Sequence, residues 1–398
     1  MARTSTLEAV KERIARELEA LGPQLIEISH KIHANPELRF EEHKAAALLA
    51  EELAREGFAI QKGVAGLETA FVASYGQSKP VVGFLAEYDA LPKLGHACGH
   101  NLIATWALGA GIALKRSHPD LEGTIKVIGT PAEEGGGGKV IMAEAGVFRG
   151  LDAAIMMHPR DSTMLDRGSL AVAHYEVEFF GKAAHAAAYP EEGISALDAV
   201  LQLFFSIIAM RQMLKSGARI HGCITHGGDA PNIIPEHAAA AFLVRATEQA
   251  YLEELERRFQ KIVEAAGLAT GARPKFTKGV SYKTRVCNRT LVETLRENVE
   301  ALGIPYEEPP TEGGVGSSDI GDVSHVVPTI HPYFQICENG TVSHSPEFAA
   351  AAAAEQADRT LIPGATLLAW TGADVLLRPE LRERMRVSFR EQLGRDPE

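Results

Sequence analysis

The sequence predicts an α/β fold, a layered domain with a mostly parallel sheet, interrupted by a smaller α+β domain. Three observations carry this. Short apolar runs at 81–86, 124–129 and 153–157 alternate with helical stretches, the pattern of parallel strands covered by helices. After Gly168 the order changes to β-α-β-β-α-β, the ferredoxin-like arrangement. From residue 288 helical sequence resumes. The expected domains are therefore 1–168 with 283–398, and an insert at 169–282.

In chain order, Leu7, Val10, Ile14, Leu18 and Leu21 recur at helical steps, and the pattern restarts at Pro23 through Ile26 and Ile32. A second amphipathic helix spans 41–55 and is stopped by Gly57. The first strand at 81–86 is followed by a helix at 102–115, the second at 124–129 by a helix at 139–145, and the third lies at 153–157. In the insert, a strand at 170–180, a helix at 193–215, a β-rich stretch at 219–246, a helix at 248–266 and a strand at 275–280 follow one another. Beyond it come a helix at 288–302, an apolar run at 326–336 and a helical C-terminus, in which the alanines at 349–354 favour helix.

Composition bounds the function. The 398 residues suggest two or three domains, and 45% apolar with 23% charged residues is the balance of a globular chain. Fifty-two acidic against 40 basic residues give a net charge of −12, which argues against nucleic acid or an anionic membrane as partner. No apolar run approaches the roughly 20 residues that span a bilayer. The N-terminal stretch alternates charges at helical spacing and lacks a signal peptide's apolar core, so a cytoplasmic protein is expected. Four scattered cysteines make no disulfide framework, and reduced thiols are expected.

Each of the three short strands ends in a polar cluster. The first leads into Glu87-Tyr88-Asp89 and then His96-Ala97-Cys98-Gly99-His100-Asn101, the second into Glu133-Glu134, the third into His158-Pro159. Ligands of open α/β sheets bind beyond the carboxyl ends of the strands, so these clusters should converge. Thiol, imidazole and carboxylate together form a metal-ligand set. Cys98 and His100 flank a single glycine and would bind zinc or manganese, or bridge two metals. Of Glu133 and Glu134, one carboxylate would hold metal while the other takes a proton from a water activated by it. The following four glycines lack the G-K-[ST] ending of a phosphate loop. His344 lies in a polar loop before a helix, and His185 follows a strand of the insert, where it is either a surface histidine or an electrophilic partner. His174, His221, His226, His237, His325, His331, His30, His33, His43 and His118 read as ordinary core or surface histidines.

Eight motifs together resemble the M20 metallopeptidases and amidohydrolases, in the branch with a Cys-Gly-His motif. They are HANPELRFEE (33–42), AEYDALP (86–92), GHACGHN (95–101), GTPAEEGGGGK (129–139), MHP (157–159), GKAAHAA (181–187), PNIIPEHA (231–238) and GTVSHSPEF (340–348). They occur in family order through almost the whole chain. The resemblance implies a centre of two divalent metal ions per subunit, zinc or manganese with cobalt or nickel as alternatives, held by Cys98, His100, Glu134, His158 and His344. It implies Glu133 as general base, Asp89 as the residue that orients the site, and His185 as polariser of the scissile carbonyl, often across subunits. Asn232 and, in the loop Gly313–Asp319, Ser317 and Asp319 are the implied substrate contacts. The insert becomes a dimerisation domain, and a homodimer follows. Asn101 replaces the aspartate that many members carry, which makes the chain more similar to aminobenzoyl-glutamate hydrolases and to dipeptidases acting on basic dipeptides.

The expected activity is metal-dependent hydrolysis of the amide bond of a small N-acyl amino acid, aryl-amide or dipeptide. One rival is a deaminase or other C–N hydrolase using the same centre. Another is a non-catalytic binding protein of the same fold, which would be expected to lack the base or a ligand; here every position is filled.

Overall fold

The computed structural model describes residues 2–118, 122–309 and 315–394. The described residues of Met1–Gly168, Arg285–Glu312 and Asp319–Glu398 form one compact unit, and those of Ser169–Thr284 and Gly313–Ser318 form a second.

The first unit begins with α1 (Ala2–Ala34), which runs through Pro23 instead of restarting there. Proline inside a helix removes one backbone bond. Here the stripe of Val10, Ile14, Leu18, Leu21, Leu25, Ile28 and Ile32 continues past it, each at most 3% exposed, and burial of that stripe outweighs the lost bond. Then come α2 (His43–Arg55), β1 (Ala59–Lys62), β2 (Phe71–Tyr75), β3 (Val81–Ala86), α3 (His100–Ser117), β4 (Thr124–Gly129), α4 (Gly138–Glu144), β5 (Ala153–Ile155) and β6 (His158–Arg160). Helix α3 is buried from His100 to Leu114 and packs against α1.

The chain then builds the second unit: β7 (Ala171–Phe180), α5 (Ala196–Arg211), β8 (Arg219–His226), β9 (His237–Ala246), α6 (Gln249–Thr270) and β10 (Arg273–Tyr282). These strands form an antiparallel sheet in the order β10-β7-β9-β8. Strand β9 alternates buried and half-buried residues, and both helices pack on the sheet around Tyr175, Phe179, Leu203, Phe242 and Phe259.

Back in the first unit lie α7 (Arg289–Ala301), α8 (Ile320–Ser324), β11 (Thr329–Ile330), β12 (Tyr333–Gln335), α9 (Pro346–Ala351), α10 (Glu355–Asp358), α11 (Leu361–Leu377) and α12 (Pro379–Leu393). The main sheet has the order β1-β2-β4-β3-β5-β11. Its β4-β3-β5-β11 part is parallel, while β2 and β1 add an antiparallel edge. Strand β1 escaped the sequence pattern because it is mostly exposed and so carries no apolar run. Strand β12 pairs in parallel with β6, placing Tyr333 opposite His158.

Two expectations are corrected. The alanine run is not one helix: α9 ends at Ala351, and Ala354 is extended. The buried Asn101 amide donates to the Ala352 carbonyl (2.9 Å) and to Ser29 Oγ (2.9 Å), so tertiary bonding overrides helix propensity. The second correction concerns length, since Glu355–Leu377 is apolar enough to cross a bilayer, with mean hydropathy 1.3. Most of this stretch is buried in the protein, where α11 packs on α1 and α3. Asn101→Ala, which leaves the Ala352 carbonyl without its donor, is expected to cost about 1–3 kcal/mol. Chemical denaturation followed by tryptophan fluorescence would read this as an earlier transition of the first unit.

Candidate metal centre

The loop between β3 and α3 brings the first donors together. Gly99, at φ +73°, is the turn residue, and a Cβ there would stand 2.6 Å from Pro159 Cγ. Only glycine therefore lets the Cys98-Gly99-His100 segment close against the strand that carries His158. Beyond β4, Ala132 is held at φ +59° just before Glu133. The buried Glu42 carboxylate fixes it, accepting from Ala132 N–H (2.8 Å), Phe40 N–H (2.9 Å) and Thr69 Oγ (2.8 Å). His344 also takes a positive φ, 63°, and its N–H donates to Ala97 O at 2.9 Å. Strain at such positions is tolerated where surrounding bonds over-determine it.

The side chains converge. Ligand atoms of Cys98, His100 and His158 lie within 4.8 Å of one another, as do those of Cys98, Glu134 and His344, and of His100, Glu133 and Glu134. Cys98 Sγ is 3.4 Å from His158 Nε2, and His344 Nε2 is 3.2 Å from Glu134 Oε1. Two donors on one tetrahedral ion, with bonds of about 2.3 and 2.0 Å, stand about 3.5 Å apart. Asp89 accepts from His100 Nδ1 through Oδ1 (2.9 Å) and from Glu134 N–H through Oδ2 (2.8 Å). That bond makes His100 Nδ1 a donor, while the buried Nε2 has no hydrogen-bond partner among the described residues. Burial opposes charge on the ring, but Asp89 and Cys98 outweigh it and hold the imidazole well above its ordinary range, so a cation at Nε2 would take the place of that proton. His158 is arranged likewise, with Nδ1 donating to Pro159 O at 2.8 Å.

The electrostatics call for cations. Burial pushes the Glu133 carboxyl well above its ordinary range, and Glu87, Glu134 and Asp319 add to it. Burial also raises the Cys98 thiol strongly, with Glu134 reinforcing the effect. Burial and the neighbouring His100 push His158 down to about 3, so it is a neutral imidazole with a lone pair to give. A buried imidazole nitrogen without a partner, a thiol and crowded carboxylates fit divalent cations, which would lower the raised carboxyl and thiol and keep His158 neutral.

The structure thus gathers Cys98, His100, Glu133, Glu134, His158, His344 and Asp89 in the first unit. Asp319, expected at the substrate, is fully buried, with Oδ1 and Oδ2 2.8 and 2.9 Å from Lys139 Nζ and N. His185, Asn232 and Ser317 belong to the second unit. The exposed His185 ring accepts from Ala188 N–H through Nδ1 (3.1 Å), and Asn232 O accepts from Ala186 N–H (3.0 Å). Ser317 Oγ accepts from Arg245 Nη1 at 2.7 Å. Gly313 and Gly314 lie outside the described residues.

Sequence reasoning missed four residues: Glu42, Glu87, Lys139 and His331. Lys139 Nζ is fully buried, 2.6 Å from Glu87 Oε1 and 2.8 Å from Asp319 Oδ1, and Glu87 Oε2 lies 3.4 Å from His100 Nε2. A lysine directly after Glu-Glu and four glycines was the available signal. His331 had none beyond its place in an apolar run, yet its ring stands 5.5 Å from that of His158.

Residues 83–361 match the model of peptidase family M20/M25/M40. The chain is similar to the Xaa-Arg dipeptidase of Mus musculus, 37% identical over 402 residues that cover 96% of this chain and 93% of that one. It is also similar to a p-aminobenzoyl-glutamate hydrolase polypeptide of Escherichia coli (strain K12), 36% identical over 309 residues, covering 72% and 64%. Among solved structures, an aminobenzoyl-glutamate utilization protein from Klebsiella pneumoniae has a TM-score of 0.71 at 20% identity, covering 92% and 98%. A dinuclear metal binding peptidase from the M20 family of Bacillus subtilis has a TM-score of 0.68 at 23% identity, covering 90% and 99%. These two share the fold.

Lys139→Met leaves two buried carboxylates without their cation. It is expected to cost about 3–5 kcal/mol, measured as a lowered denaturation midpoint, whereas Lys62→Met on the exposed edge strand β1 should shift it little.

Proposed function

The chain belongs to peptidase family M20/M25/M40 and is a metal-dependent peptidase or amidohydrolase, and on that premise we propose that it hydrolyses small dipeptides whose C-terminal residue is basic. The observation that carries the metal-dependent reading is the buried, unpartnered His100 Nε2 in a cluster of ligand atoms from Cys98, Glu133, Glu134 and His158. In this reading Cys98, His100, Glu134, His158 and His344 hold two divalent ions, zinc or manganese. Bound there, the ions supply Lewis acidity and acidify water. Glu133 takes the proton of the attacking water and delivers it to the leaving amine. Asp89 keeps His100 in the tautomer that presents Nε2, and Lys139 balances Glu87 and Asp319 next to the base. His185 and Asn232, close together on the second unit, are proposed as substrate contacts, His185 donating to the scissile carbonyl.

The basic side chain is supported by the 37% identity to a Xaa-Arg dipeptidase over nearly the whole chain. It is further supported by a groove of about 430 Å³ in the second unit, lined by Ala186, Ser195, Asp198, Asp229, Pro231 and Ile233, whose charged residues are both acidic. A screen of metal-reconstituted protein against Xaa-Arg and Xaa-Lys dipeptides, N-acyl amino acids, p-aminobenzoyl-glutamate and aromatic amines, read as released amine or ammonia, tests it. Turnover of N-acyl amino acids or p-aminobenzoyl-glutamate in preference to the dipeptides would move the substrate assignment, and ammonia release alone would make the protein a deaminase.

A homodimer through the second unit is part of the proposal. Helix α5 leaves Leu201, Phe205 and Ile208 exposed at 40, 67 and 49%, and β8 is an unpaired sheet edge with Ile224 43% exposed. Apolar residues on an open strand edge and an adjacent helix are expected to be covered.

Two outcomes are expected. Glu133→Gln keeps its metal content, measured by elemental analysis, while kcat falls by about 10²- to 10⁴-fold. Phe205→Asp lowers the solution mass to that of one chain in light scattering.

A further inference from the structure

The chain leaves the first unit after Gly168 and re-enters it at Arg285, and one buried guanidinium ties these two points together. Arg285 is 5% exposed. Its Nη2 donates to Gly168 O at 2.6 Å, and its Nη1 to His331 Nδ1 at 2.6 Å and to Tyr333 Oη at 3.4 Å. Its Cζ stands 5.3 Å from the centre of the Tyr333 ring. An arginine has only donors, so His331 Nδ1 must be the acceptor, and the His331 ring is fixed in place and tautomer.

Both rings held by Arg285 face His158. The His331 and His158 centroids are 5.5 Å apart, and the Tyr333 ring stands edge-on to His158 at 5.8 Å. Strand pairing sets Tyr333 opposite His158, and His158 N–H donates to Pro332 O at 2.9 Å. The imidazole is thus bounded by two side chains that share one clamp, while its own Nδ1 is spent on Pro159 O.

We propose that Arg285 is a positioning residue for His158, holding His331 and Tyr333 as the walls that aim Nε2 at the metal centre. This rests on His158 being a metal ligand. Lysine cannot span a carbonyl, an imidazole and a phenol in one plane, so Arg285→Lys keeps the charge and loses the clamp. His331→Asn keeps an acceptor for Arg285 and removes one wall.

The test is titration of the metal-free full-length protein with cobalt(II), following visible absorption and the number and affinity of bound equivalents, with circular dichroism to check folding. Both variants are expected to weaken one cobalt equivalent by about 10- to 100-fold and to alter its spectrum, as loss of outer-shell support does. Unchanged affinity and spectrum in a folded Arg285→Lys would overturn the proposal. If that variant does not fold, His331→Asn decides with the same two outcomes. His158→Ala separates this inference from the functional reading. If it binds both equivalents as wild type does, the ligand assignment falls and the clamp with it; if it alone loses a site, only the clamp falls.

Discussion

The site depends on the two oxygens of Asp89. One receives the His100 imidazole and the other the Glu134 backbone, so a single carboxylate sets two donors that arrive on different β-α connections. Burial opposes the charge, yet the His100 contact and the Glu134 N–H hold Asp89 below its ordinary range. The sheet makes this possible. Parallel strands β3 and β4 end side by side, so the residues after them meet over one sheet edge.

Around that fixed point the protein manages a surplus of negative charge. Glu87, Asp89, Glu133, Glu134 and Asp319 crowd a volume with one fully buried ammonium among the described residues, that of Lys139. Lys139 pairs with Glu87 and Asp319, and in the proposed reading the donors near Cys98 and His158 hold divalent cations. This arrangement explains why a protein of net charge −12 has its most consequential acids inside.

Much of this was legible in the sequence because it follows from periodicity and chain order. The three parallel strands, the inserted β-α-β-β-α-β unit and the polar clusters at strand ends are local patterns, and the eight motifs in register named the family. What escaped is tertiary. Pro23 lies within a helix because burial along α1 outweighs one lost bond. Ala352 leaves its helix because Asn101, some 250 residues away in sequence, takes its carbonyl. Asp319 looked like a pocket residue, and only the fold shows it spent on Lys139. His331 resembled any core histidine until β12 paired with β6.

The inserted unit also has a consequence for the order in which the protein is made. Strands β7 to β10 and helices α5 and α6 are contiguous in the chain, so these elements of the unit are complete while β11, α11 and His344 have yet to leave the ribosome. The first unit cannot close its sheet until after residue 330, nor its core until after residue 377. Domains generally fold as units during synthesis, and contacts distant in sequence form late. The first half of the first unit must therefore wait, with α1 and α3 lacking α11. His344 is the last of the gathered donors in the chain, so the cluster is complete only once residue 344 has been made. Vectorial synthesis thus brings the gathered donors together only after the strands and helices of the second unit have been made.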